Sequence, residues 1–346
     1  MSRTILASIL LLFVTALSQA QAPAEVEVTF PGYQGFELAG TLSLPARVPE
    51  GGAPGVLLLP GSGPTDRDGN QPPYLSTDLL KEMAGRLVRE GFAVLRFDKR
   101  AAAAAKRGPA DVAAQNAFFA WEAFTGDARG ALDFLRKRPE VDRTRTAIVG
   151  HSEGGLIALQ LGSDLAAAGS PPAALVLAST AATKLDEVVR AQVAQGLERL
   201  QANEAERKQH LEALNGAIRS IVESGTVPAD LPLLLRPLFP ANGTRLLRSY
   251  FTIDPAALAR SYPGPVLILH GAMDGQIPAE EHTARMLGVL ASRPGGVQER
   301  VIVANASHCL KPVTSITDFG FAGDVVPAAL DALAGFLNRV LAKPAT

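Results

Sequence analysis

Short, uninterrupted apolar runs alternate with amphipathic stretches along most of this 346-residue chain, and that rhythm leaves few architectures open. The runs fall at residues 55–59, 92–97, 146–149, 174–178, 266–269 and 300–303. A continuous run, rather than an in-out alternation, is the pattern of a strand covered on both faces. Helical periodicity fills the intervals at about 77–90, 125–138, 156–165, 279–290 and 327–341, with Gly91 a natural stop for the first. Repeated strand–helix units of this kind predict a mostly parallel central sheet with helices on both faces. Ahead of them, residues 26–30 and 36–44 read as an antiparallel pair, the second alternating around Leu38, Thr41 and Leu42. At 47% hydrophobic residues the chain has material for a large core, and one main domain carrying an insertion accounts for its length.

The rhythm breaks once. Residues 184–222 are charged and helix-periodic, with Val188, Val189, Val193, Leu197 and Leu200 at helical spacing. Residues 231–239 form an apolar, proline-flanked segment and 257–261 a short helical turn. A structureless loop of that length does not suit a compact domain, so residues 183–261 read as a helical cap inserted between two core strands. The alternative is a set of extra crossover helices. Within the segment, Leu233, Leu234, Leu235, Leu238 and Phe239 suit either an apolar substrate site or the seam between cap and core.

The N-terminus reads as a secretory signal peptide, with Arg3, an apolar stretch over 5–17, and small residues at Ser18-Gln19-Ala20 and Ala20-Gln21-Ala22. Pro23 disfavours a cut after Ala22, so cleavage is expected after Ala20, giving residues 1–20 as leader and 21–346 as the mature chain. The apolar run is short for a membrane span, although an uncleaved anchor is the alternative. The expectation is an exported protein, periplasmic or secreted, with no stable membrane span after cleavage. Cys309 is the only cysteine, which excludes an intrachain disulfide and a cysteine metal cluster. With 33 basic against 34 acidic residues and no long charge run, nothing marks a nucleic-acid or anionic-membrane surface. No feature speaks to oligomeric state.

The chemistry concentrates in Ile148-Val149-Gly150-His151-Ser152-Glu153-Gly154-Gly155, a G-x-S-x-G element directly after a predicted strand and directly before a predicted helix. Glycines there permit a tight turn that lifts the Ser152 hydroxyl above the sheet, and the helix N-terminus supplies N–H groups to a developing oxyanion. A serine needs a base, itself oriented by an acid. In chain order after such a turn the acid precedes the histidine. Asp274 follows the strand at 266–269 and His308 the strand at 300–303, so both lie beyond C-terminal strand ends, where open α/β sheets bind ligands. The loop Leu59-Pro60-Gly61-Ser62-Gly63-Pro64 follows the third strand, which makes the Ser62 and Glu153 amides the candidate oxyanion donors. An ordinary Gly/Pro-rich turn is the alternative for Ser62.

The remaining candidates fit less well. His151 is expected to point away from the site, His270 to pack near the acid loop, and His210 and His282 to sit on solvated helix faces. Asp254 and Asp318 are the runner-up acids, Asp254 better suited to starting a helical turn before Pro255. No zinc, P-loop or cysteine-pair signature is present. Residues 65–70, TDRDGN, lack the later glutamate of a calcium loop. No cofactor or metal is expected.

Taken together, LLLPGSGPTDRDGN (57–70), LRFDKR (95–100), VGHSEGG (149–155), HGAMDGQIP (270–278) and NASH (305–308) resemble bacterial α/β-hydrolases of the serine aminopeptidase S33-like and dienelactone-hydrolase-like sets, over residues 25–341. The resemblance implies the α/β-hydrolase fold, a Ser152–Asp274–His308 triad, and oxyanion amides at Ser62 and Glu153. One departure stands out. Relatives carry a glycine-rich loop after D-K-R, whereas here Ala101–Ala105 favours helix. The function expected is hydrolysis of a small or medium carboxylic ester, without cofactor. A second reading is an aminopeptidase or arylamidase, needing a carboxylate such as Glu153, Asp66 or Glu187 to hold the amine. A third is a non-catalytic binding protein on the same scaffold.

Overall fold

The computed structural model describes residues 24–343; the expected signal peptide lies outside them. The strands are β1 (Ala24–Pro31), β2 (Glu37–Leu44), β3 (Ala53–Leu59), β4 (Ala93–Phe97), β5 (Val141–His151), β6 (Ala174–Ala178), β7 (Val266–Gly271) and β8 (Gln298–Val303). The helices are α1 (Leu79–Arg89), α2 (Arg100–Arg107), α3 (Val112–Phe118), α4 (Trp121–Arg136), α5 (Glu153–Ala167), α6 (Leu185–Arg199), α7 (Glu204–Ser224), α8 (Thr244–Thr252), α9 (Pro255–Ser261), α10 (Ala279–Ala291) and α11 (Pro327–Val340).

One eight-stranded sheet runs in the order β1-β2-β4-β3-β5-β6-β7-β8. β2 is antiparallel to both neighbours, and every pairing from β4 to β8 is parallel. This is the mostly parallel sheet that the strand–helix rhythm predicted, and the α/β-hydrolase fold that the resemblance implied. The inner strands read as apolar runs because both faces are covered: all five residues of β6 and all five of β4 are buried. On one face α1 and α11 close a core with Leu87, Phe336 and Leu337; on the other α4, α5 and α10 pack with Leu132, Leu159 and Leu290. The chain passes from β3 to β4 on one side and then crosses from β4 over to β5 on the other, so a crevice opens beyond the C-terminal ends of β3 and β5, where this fold holds ligands.

Between β6 and β7 lie α6 to α9. The helical stretch expected over 184–222 is two helices, because Gln201 turns left-handed at φ 55° and Asn203 with Glu206 forms a reciprocal capping box that starts α7. Leu235 and Phe239 are buried in the core, while Leu233, Leu234 and Leu238 face outward, so the leucine-rich segment serves partly as a seam. The alanine run after Arg100 is helical, as propensity indicated. Two helices had no sequence expectation: α3, capped by Asp111, and α8.

Candidate active site

The chain turns from β5 into α5 through Ser152, whose φ of 53° and ψ of −116° lie outside the regions open to L-residues without strain. That backbone is held from both sides. The Ser152 amide donates to Ala178 O at 2.8 Å and the Gly155 amide to Ser152 O at 3.0 Å. The glycines permit the turn by close approach. A Cβ on Gly150 would stand 2.1 Å from Gly154 O, and one on Gly154 would stand 2.4 Å from Leu59 O. Ser152 therefore sits at the head of α5 and lines two cavities that meet there.

Asp274 is buried in the turn after β7, and four donors converge on its carboxylate. Oδ1 accepts from the amides of Gln276 at 2.8 Å and Ile277 at 2.9 Å. Oδ2 accepts from His308 Nδ1 at 2.7 Å and from His270 Nε2 at 3.0 Å. Burial alone would raise the Asp274 pKa, but the His308 charge and the imidazole hydrogen bonds outweigh it and hold the carboxyl well below the usual range. Because His308 Nδ1–H is spent on Asp274, its Nε2 is the nitrogen left for other work, and His308 and Ser152 line the same cavity.

His270 packs on the acid loop, as expected. His151 does not point away: it is buried against His308, ring centroids 4.9 Å apart, and its Nε2–H donates to His308 O at 3.0 Å. Desolvation, helped by the His308 charge, brings its pKa down to about 3, so the ring is neutral. His282 also departs from expectation. It is buried at 5% exposure, and its Nδ1 accepts from the Ala182 amide at 3.1 Å, tying α10 to the start of the inserted helices. His210 is half-buried on α7. Asp254 caps α9 by accepting from Ala256 N at 2.9 Å, and Asp318 accepts from Gly320 N in an exposed loop; neither competes with Asp274. Cys309 is buried and its thiol pKa is pushed up to about 12, so it is held protonated.

The Ser62 loop lies across Ser152: a Cβ on Gly61 would stand 3.1 Å from His151 Nδ1 and 3.5 Å from Ser152 Cβ. Ser62 lines both cavities. One, of about 140 Å³, is walled by Leu156, Leu185, Tyr250, Pro255 and Ile277, mostly apolar and drawn partly from the inserted helices. The other, of about 150 Å³, is walled by Gln71, Thr77, His151, His308 and Phe321. None of Leu233, Leu234, Leu235, Leu238 or Phe239 lines either one.

Two groups here carried no sequence signal for their placement. Lys99, buried at 5% exposure, places Nζ 2.6 Å from Glu153 Oε1 and 3.1 Å from Gly61 O. The buried Tyr250 hydroxyl, from α8, faces the Glu153 carboxylate without meeting hydrogen-bond geometry. Of the carboxylates considered for holding an amine, Glu153 is thus engaged by Lys99. Asp66 accepts from the amides of Asp68 and Asn70, and Glu187 lies 3.9 Å from Arg285 at the surface. Among the described residues no group of three or more His, Cys, Asp or Glu side chains is arranged to hold a metal ion, and no helix is long and apolar enough to cross a membrane.

A parallel sheet led by an antiparallel strand, with a serine on a strained strand-to-helix turn and a His–Asp pair on neighbouring strand ends, defines the class of the α/β-hydrolases. The alpha/beta hydrolase family matches residues 56–310, and the chain belongs to that family. No curated protein matches the chain by sequence. Among solved structures it is similar to an esterase from Pyrococcus furiosus, at 17% identity and a TM-score of 0.56, with 92% of each chain covered. It is also similar to a thermostable carboxylesterase cloned from a metagenomic library, at 18% identity and a TM-score of 0.57, covering 94% of this chain and 92% of that one. Est1E from Butyrivibrio proteoclasticus aligns at 16% identity and a TM-score of 0.54, over 92% of this chain and 99% of that one.

Proposed function

We propose that the chain is an exported serine carboxylesterase acting on small or medium esters. Ser152 Oγ attacks the acyl carbon while His308 Nε2 takes its proton, and Asp274 holds the imidazole tautomer and stabilises its charged form. The amides of Ser62 and Glu153 receive the oxyanion. Collapse expels the alcohol, protonated by His308, and water activated by the same nitrogen hydrolyses the acyl-enzyme. The leaving alcohol must depart on the His308 side, so the cavity walled by His308 takes the alcohol. The apolar cavity under α6, α8 and α9, acting as a cap, takes the acyl chain. Its volume of about 140 Å³ holds on the order of ten water-sized groups, which suits a short to medium chain.

One observation carries the reading: the 2.7 Å bond from His308 Nδ1 to Asp274, which leaves Nε2 to act as base, with His308 and Ser152 lining one cavity. Glu153 is engaged by Lys99 and Asp66 by backbone amides, and Glu187 lines neither cavity, which favours an ester over an aminoacyl substrate. The esterase names of the similar structures agree with it.

The test is to express the full chain, sequence the N-terminus of the exported product, and follow p-nitrophenyl acetate and butyrate with and without Ser152→Ala. A mature terminus at Gln21 and a rate loss of at least about 10⁴-fold in folded Ser152→Ala are expected. Retention of activity by that variant, or dominant turnover of aminoacyl anilides by the parent, would overturn the reading. An intact N-terminus would overturn cleavage after Ala20.

A further inference from the structure

We propose that Lys99 is the positioning residue of the oxyanion hole, fixing both of its amide donors with one ammonium group. This rests on the esterase reading above. The carbonyl oxygen of Gly61 and the N–H of Ser62 belong to the same peptide unit. In a trans peptide they point in opposite directions within one plane. Lys99 Nζ, 3.1 Å from Gly61 O, pins that carbonyl and so turns the Ser62 N–H the other way, toward Ser152. The same Nζ lies 2.6 Å from Glu153 Oε1, and Glu153 is the first residue of α5, whose backbone N–H is the second donor.

The loop needs such an anchor because of what occupies position 61. Packing on His151 and Ser152 is tight enough to favour glycine, since a Cβ there would stand 3.1 Å from His151 Nδ1 and would have to push the ring back by a few tenths of an ångström. Glycine meets that demand but leaves its peptide free to flip. The other side-chain donor near Gly61 O is the Thr65 hydroxyl, at 3.5 Å, too long to hold it. Lys99 is itself held on several sides. Its amide donates to Thr65 O at 3.2 Å, its Nζ sits 4.7 Å from the Phe124 ring centre, and its side chain is 6% exposed. The ammonium also draws electron density from the Gly61–Ser62 amide, which strengthens the Ser62 N–H as a donor.

Removing an oxyanion donor outright costs about 10²–10³ in kcat. Loss of its orientation should cost less, so Lys99→Met is expected to lower kcat by about ten- to a hundredfold with KM within about twofold. Affinity for a trifluoromethyl ketone, which forms a tetrahedral oxyanion on Ser152, should fall by the same factor. Lys99→Met leaves a buried Glu153 carboxylate unpaired, which can itself disturb the site or prevent folding. The double variant Lys99→Met/Glu153→Gln removes both charges and is the decisive one. A folded double variant whose kcat and ketone affinity stay at least tenfold down supports the inference. Recovery to within threefold of the parent would overturn it while leaving the esterase reading intact. A parent with no esterase activity would overturn that reading, and this inference with it.

Discussion

The neutral, buried His151 makes the fold acid-sensitive in a window that can be worked out beforehand. Its ring is desolvated and lies beside the His308 charge, and these bring its pKa from 6.5 to about 3 in the folded chain. The unfolded chain, with the ordinary value, takes up the proton first as pH falls. Stability from the neutral ring is therefore fully present above about pH 6.5 and is lost progressively as pH falls toward 3. Within that window the slope is about 1.4 kcal/mol per pH unit, so the two pH units down to pH 4.5 cost on the order of 2–3 kcal/mol. Against a typical total of about 5–15 kcal/mol this is a substantial share. The comparison to make is between the parent and His151→Gln, which keeps a donor for the His308 carbonyl but does not titrate. Urea unfolding by circular dichroism at pH 7.5 and 4.5 gives the two stabilities for each protein. His282, whose pKa burial also lowers, and the surface carboxylates are common to both and cancel. The parent is expected to lose about 2–3 kcal/mol more than the variant between those pH values. Equal losses would refute the placement of a neutral imidazole against His308.

Two further substitutions test the turn and the acid. Gly154→Ala places a Cβ 2.4 Å from Leu59 O and 2.7 Å from Pro60 O, both backbone atoms that cannot yield. It should cost upwards of about 2 kcal/mol and lower the melting temperature, and an unchanged melting curve would refute the tight turn. Asp274→Asn sets an amide NH₂ or a single carbonyl against the two imidazole N–H groups that now converge on Oδ2. The tautomer of His308 is then no longer fixed, and kcat on p-nitrophenyl butyrate should fall by on the order of 10⁴ in a folded protein. A fall of less than tenfold would remove Asp274 from the proposed mechanism.

What was legible in the sequence was what the chain encodes locally. Residues 174–178 read as a strand because burial on both faces demands an unbroken apolar run, and that demand does not depend on which element covers it. The turn at Ser152 was legible for the same reason, since Gly150 and Gly154 sit beside the serine whose strained backbone they permit. Asp274 and His308 followed once strand ends were placed, because parallel strands bring their C-terminal edges to one side. What stayed hidden depends on partners far along the chain. His282 was assigned to solvent, yet the Ala182 amide, 100 residues away, holds it inside. Helix α8 has no side-chain cap of its own at Gly243. Instead Asn116 of α3 accepts from the Arg245 amide at 3.2 Å and donates to Ala241 O at 2.7 Å. Helix α8 was therefore silent in the sequence, because part of what fixes it is written in α3. Lys99 is the sharpest case. D-K-R was visible as a motif, but the meaning of its lysine lies in Gly61 and Glu153, 38 and 54 residues away. A motif can show that a residue type belongs at a position. What that residue does depends on which atoms the fold brings to it, and here those atoms belong to the two peptides proposed to carry the oxyanion donors.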